Sequence, residues 1–388
     1  MVKFLTNRVI CAAFAALVGS TVMGAEYVWT GAAGDGKWVT PGNWDVTVDD
    51  GSGEIIWEAA TTYPGQKQSD GTYDYDPSTV RFTNSVELVD LSDANGEKKT
   101  YYFTENQPIN FSENITVKFK NGTFCNLIDH KNDRFKIGAA GTTLIFENFN
   151  FYPVTVSDSG VQPVDGSKVA PASSTTVIFE GSNDSSGFRF SGDNYFTLHI
   201  RNGTLKTYNT VSPGKITLYV SNAVWTVSNA SAGVAQKTYF RDVPEGMDGR
   251  RESRVLCTSG NSIGFRYNFD IVVLPTGRKT PYLEASMLHS VTVGSSLSFT
   301  IDVTEWNKGG ENYRIPLLKL TLRQGTGNGA SDHITAMKTK LANTTLKAIA
   351  NGRDVTKRRN ARLEWDSSKN TLYYVQDKPY DGMKVIVR

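Results

Sequence analysis

Two neighbouring stretches decide how the fold is read: Tyr195-Phe-Thr-Leu-His-Ile-Arg-Asn-Gly-Thr-Leu-Lys-Thr-Tyr208 and Lys215-Ile-Thr-Leu-Tyr-Val-Ser-Asn-Ala-Val-Trp-Thr-Val227. In both, apolar and polar residues alternate, which is the period of a strand buried on one face. Both turn on a small residue after an asparagine, Asn202-Gly203 in the first and Asn222-Ala223 in the second. The two segments resemble each other, and that resemblance carries more weight than the strand signal itself.

Working outward, the same style recurs upstream in ITVKFKNGTF from Ile115, TTLIFENFNF from Thr142 and TTVIFEGS from Thr175. The alternating pairs are Val117-x-Phe119, Leu144-x-Phe146, Val177-x-Phe179, Leu198-x-Ile200 and Leu218-x-Val220. Their first members follow one another at steps of 27, 33, 21 and 20 residues. Drifting steps in the twenties are what stacked passes of a solenoid produce, each pass burying its apolar residues against its neighbours. Asparagine and glycine suit the corners because both tolerate a left-handed backbone. The expectation is an all-β, right-handed parallel β-helix. An antiparallel β-sandwich stays open, because Asn-Gly is also the favoured hairpin turn.

Both ends read differently. Lys3 and Arg8 precede a short apolar run, Val9–Val18, with small residues at Gly24 and Ala25. That is the pattern of a removable secretion signal over 1–25, and the run is too short to span a bilayer. The remaining expectations are an N-terminal cap over 26–76, a β-helix body over 77–295, and C-terminal strands and cap over 296–388. Ile334, Met337 and Leu341 predict one helix after Ser331 or Asp332. Leu363–Trp365 and Thr371–Val375 predict a hairpin. Helix and hairpin together would close an otherwise open end.

The mature N-terminus carries Trp29-Thr-Gly31, Gly36-Lys-Trp38 and Asn43-Trp44, followed by Pro77-Ser-Thr-Val-Arg-Phe82. This resembles the "WTG…G.W…NW" opening of large exported proteins of planctomycete- and verrucomicrobia-like bacteria, which often carry autotransporter-associated β-strand repeats. The ending, Ala361–Trp365 through Thr371–Val375, is similar to the closing strands of that group. The resemblance implies a secreted or surface β-solenoid and brings no shared catalytic motif. A C-terminal sorting helix and a translocator barrel are not recognisable in the sequence.

The charge is nearly balanced, with 41 basic against 39 acidic residues, so nucleic acid is not an expected partner. Four histidines, at 130, 199, 289 and 333, are too scattered for a metal motif, and no metal or cofactor is expected. His199 reads as an exposed strand residue. Asp70, Asp74 and Asp76 offer oxygen ligands of the calcium type but lack the full loop pattern, and read as a solvated loop. Once the signal is removed only Cys125 and Cys257 remain; a disulfide between them is open, and Cys125 reads as a buried thiol.

Trp38 and Trp44, with Trp29, could stack on sugar rings or seal the first pass of the solenoid. A site assembled across passes could draw on Asp184, Asp193 and Arg201. It could also use Arg241-Asp242 with Arg250-Arg251-Glu252-x-Arg254, whose guanidinium groups suit an anionic sugar. Ordinary charged loops explain both clusters, and Lys357-Arg358-Arg359 reads as a solvated turn. The functional expectation is a non-catalytic surface, adhesive or matrix protein whose partner is a glycan or cell-surface polymer. The alternative is a polysaccharide lyase or glycosidase on the same scaffold.

Overall fold

Val117, Leu144, Val177, Leu198 and Leu218, chosen above for their alternation alone, are direct Cα partners in one parallel ladder. The computed structural model describes residues 26–49, 54–64, 79–103, 109–128, 134–152, 154–157, 160–163, 167–190, 194–210, 215–228, 237–241, 252–258, 260–265, 268–273, 278–293, 297–306, 314–322, 338–341 and 344–377. The protein is all-β, with long parallel sheets.

The principal ladder runs Val86–Asp90, Thr116–Lys120, Thr143–Glu147, Thr176–Phe190, Phe196–Thr210, Ile216–Val227, Lys237–Arg241, Asn268–Val272, Ser298–Asp302, Thr345–Ala350. Every neighbour pairs in parallel. An antiparallel sandwich would pair these strands in the opposite sense. A second parallel ladder begins beyond the corners, matching Gly203 to Ala223, Val224 to Arg254, Val255 to Leu283 and Leu283 to Leu318. A third joins Arg134–Ile137, Ser167–Pro171 and the far end of Thr176–Phe190.

The inward side of the principal ladder stacks like on like. Phe119 lies 5.6 Å from Phe146, and Phe146 lies 5.5 Å from Phe179, the rings stacked with planes 13° and 30° apart. All three are buried. Such pairs add about 0.5–1.5 kcal/mol each beyond the area they bury. Register is thereby fixed, since a one-residue slip would turn every phenylalanine outward.

The corners are asparagine as predicted. Asn121, Asn148, Asn202 and Asn222 all have φ between 51° and 55°. Asn222 donates from Nδ2 to Oδ1 of Asn202 at 3.2 Å, so one corner holds the next. Gly181 occupies the equivalent place at φ 66°, where a Cβ would meet Oδ1 of Asn148 at 2.3 Å.

At the N-terminal end, β1 (Glu26–Trp29) pairs antiparallel with β2 (Trp44–Asp49), and β2 pairs antiparallel with β3 (Ile55–Ala59). On its other side β1 pairs in parallel with β4 (Thr79–Phe82). At the C-terminal end the expected hairpin forms, with Arg362–Asp366 antiparallel to Thr371–Val375. Its second strand pairs antiparallel with Arg314–Leu322. Residues 338–341 are helical and Leu341 is buried, while 331–337 of the expected helix lie outside the described residues. Residues 1–25 also lie outside them.

Candidate functional site

A parallel ladder in register places equivalent outward residues in columns roughly 4.8 Å apart. The central column of the principal ladder reads Lys118, Ile145, Ile178, His199, Tyr219, Tyr239, Asp270. Beside it runs Lys120, Glu147, Glu180, Arg201, Ser221, Arg241. The rings of His199 and Tyr219 stack at 4.5 Å and those of Tyr219 and Tyr239 at 4.4 Å, within 5° of parallel. His199 is therefore half-buried between neighbours rather than fully exposed. Burial, and secondarily Arg201, push its pKa down and favour the neutral ring.

Charges along these columns are paired across strands. Glu147 receives Lys118 at 2.5 Å and Lys120 at 3.1 Å, and Glu180 receives Arg201 at 2.5 Å. Lys118 donating to Glu147 holds that carboxyl below the usual range, despite partial burial. Lys237 reaches Asp270 at 3.1 Å and lies 4.7 Å from the centre of the Tyr239 ring. A general acid near neutral pH needs its pKa raised, by burial or by a like charge. Glu147 is placed in the opposite circumstance.

The residues proposed from sequence separate. Asp184 pairs with Lys206 at 2.8 Å beyond the corner, whereas Arg201 lies before it on Glu180; Asp193 lies outside the described residues. Arg254 meets Glu284 at 2.7 Å, and Lys319 reaches the same carboxylate at 2.9 Å, across three adjacent strands of the second ladder. Glu252 accepts a hydrogen bond from the Thr280 hydroxyl. Arg250, Arg251 and Asp242 lie outside the described residues, as do Asp70, Asp74, Asp76, His130 and His333. Lys357, Arg358 and Arg359 form a turn, with Lys357 and Arg358 exposed.

Trp38 and Trp44 are fully buried. Trp38 packs 4.7 Å from Trp44 and 5.2 Å from Tyr101, and Trp29 sits 4.9 Å from Trp44. Their indole N–H groups donate to backbone carbonyls, Trp38 to Pro64 and Trp44 to Trp38. Neither presents a free face to a sugar ring. Asn43 is also fully buried and organises the segment, accepting from Ala33 N–H and donating to Asp35 and to the Lys37 carbonyl. Gly31, Gly34 and Gly36 all take positive φ. The spacing of tryptophan, glycine and asparagine is thus a wiring diagram for one buried turn.

Cys125 and Cys257 are free and buried, and burial pushes both thiols up to about 12. Among the described residues no group of three His, Cys, Asp or Glu side chains could hold a metal ion. Among them also, no helix is long and apolar enough to cross a membrane. No family model, curated protein or solved structure matches the chain.

Sequence reasoning missed the paired columns of Lys118, Glu147, Glu180 and Arg201, and the ring ladder through His199. The signal was present in the spacing. Once Leu198 and Leu218 are partners, His199 and Tyr219 must stack, because side chains alternate faces with period two.

Proposed function

We propose that the chain is an exported, non-catalytic, right-handed parallel β-helix that serves as a surface, adhesive or matrix scaffold. The observation that carries this reading is the commitment of outward carboxylates to cations on neighbouring strands. Glu147, Glu180, Asp270 and Glu284 each face a lysine or arginine one strand away. Such an arrangement ties successive passes together. Glu147, its carboxyl held down by Lys118, is poorly suited to donate a proton to a bound glycan.

The winding itself is supported by parallel ladders that share Thr176–Phe190, Phe196–Thr210 and Ile216–Val227 and take up their strands in chain order. Right-handed crossovers are the strong preference for parallel strands. Secretion is supported by the n-region and apolar run within 1–25, and by the resemblance of the Trp29–Trp44 segment to exported solenoids. A glycan or cell-surface polymer is the partner this reading favours. Its test is incubation of purified protein with a broad panel of acidic and neutral polysaccharides. Retention on one or more without release of oligosaccharides is expected. New reducing ends or unsaturated uronates would overturn the non-catalytic reading in favour of a lyase or glycosidase.

A further inference from the structure

We infer that β3 is a self-association edge, through which two copies of this chain pair head to head. Ala60 N–H donates to Trp44 O at 2.9 Å, and the β2–β3 register is regular from Asp45–Ala59 to Asp49–Ile55. Backbone groups alternate sides along a strand, so Glu58 and Ile56 point to β2 like Ala60. The N–H and C=O groups of Ile55, Trp57 and Ala59 therefore point away from it. Among the described residues no strand pairs with that outer edge.

The side chains match the open edge. Ile55 is 56 % exposed and Trp57 48 % exposed, on one face of the strand, and they are two of five large apolar side chains so exposed among the described residues. The other end of the molecule is treated differently. Its outermost strand, Arg362–Asp366, carries Arg362 paired with Glu364 at 2.8 Å and with Asp377 at 3.4 Å. Charge of this kind blunts an edge against further pairing, and β3 lacks it on the face that carries Ile55 and Trp57.

A second copy fits because an antiparallel pair is its own symmetry mate. Centred on Trp57, such a pair sets Trp57 against Trp57 and Ile55 against Ala59, both at hydrogen-bonding positions. About six backbone bonds would form. Glu58 falls opposite Ile56, so no like charges face each other across the dyad. The five-stranded sheet that ends at β3 would continue into its counterpart in the partner molecule. This inference stands on the geometry of β3 and does not rest on the scaffold reading.

Sedimentation velocity of the purified protein over a broad concentration series tests it, alongside three variants. The expected result is a reversible monomer–dimer equilibrium. Trp57→Lys should weaken it by about tenfold or more. Ala59→Pro should do the same, since it removes an outward N–H without touching the β2 ladder. Tyr195→Lys, which alters a side chain 61 % exposed elsewhere, should leave it unchanged. Circular dichroism of each variant establishes that it is folded, and the lysine variant answers the question if the proline variant is not. A protein monomeric at every concentration overturns the inference, as does a dimer that survives both β3 substitutions.

Discussion

Gly203→Ala should be among the most damaging small changes available in this chain. A Cβ built on Gly203 would lie 1.9 Å from the carbonyl oxygen of Gly181 and 2.5 Å from its carbonyl carbon. Both obstacles are backbone, held in the parallel pairing of Gly181 with Gly203. Reaching even the tightest tolerated contact, about 3.0 Å, demands a displacement near 1 Å in a close-packed corner. Overpacking of this type costs about 1–3 kcal/mol, and one or two weakened ladder hydrogen bonds add about 1 kcal/mol each. Reduced entropy of the unfolded chain returns about 0.4–1 kcal/mol. The net loss is about 1–5 kcal/mol, centred on about 3 kcal/mol. Gly34→Ala is the control: unlike Gly203 it sits at positive φ, 74°, but a Cβ there meets nothing within 4 Å. It should cost only the left-handed backbone penalty of about 1–2 kcal/mol. Urea denaturation followed by tryptophan fluorescence measures both. A Gly203→Ala midpoint equal to or above that of Gly34→Ala would refute the close approach of the two corners.

Three further outcomes follow from the core and the columns. Thr238 is fully buried in a column of Leu218 and Phe269, and its hydroxyl finds no partner among the described residues; Thr238→Val should stabilise by about 1 kcal/mol in the same urea assay. The Glu147 carboxyl is held down chiefly by Lys118, so its contribution is fully present above its unfolded pKa of about 4.3 and is lost as pH falls through the lower folded value. Glu147→Gln should therefore flatten the acid limb of stability against pH, and an unchanged limb would show that the pair is inert. Cys125 and Cys257 should resist thiol reagents in the native protein and react after unfolding; rapid native labelling, or a mass two hydrogens short, would contradict their burial as free thiols.

Much of the ladder was legible because hydrophobic alternation and corner chemistry are local signals. Leu144, Val177 and Leu198 announce their face, and Asn121, Asn202 and Asn222 announce the bend that follows. The strand partners emerged only because successive strands resemble one another. What stayed hidden was assembled in space: Lys118 and Glu147 meet across 29 residues, and Arg254 and Glu284 across 30. Charged residues in such strands look solvated when read one at a time. Trp38 and Trp44 show the reverse difficulty. Aromatic residues beside glycines suit either a sugar platform or a seal, and only the side-chain bonds of Asn43 and the positive φ of the three glycines decide which way the rings point.

The parallel ladder also sets how the molecule carries load. In the proposed solenoid neighbouring strands are successive passes of one chain, so tension applied at a terminus would fall first on the outermost strand. Its hydrogen bonds, inward stack and ion pairs let go together, and the next pass then inherits the force. Such a structure yields stepwise from its ends and leaves the remaining passes standing. In that winding the corner bond from Asn222 to Asn202 would be one detent along the path, and its release would free one increment of length.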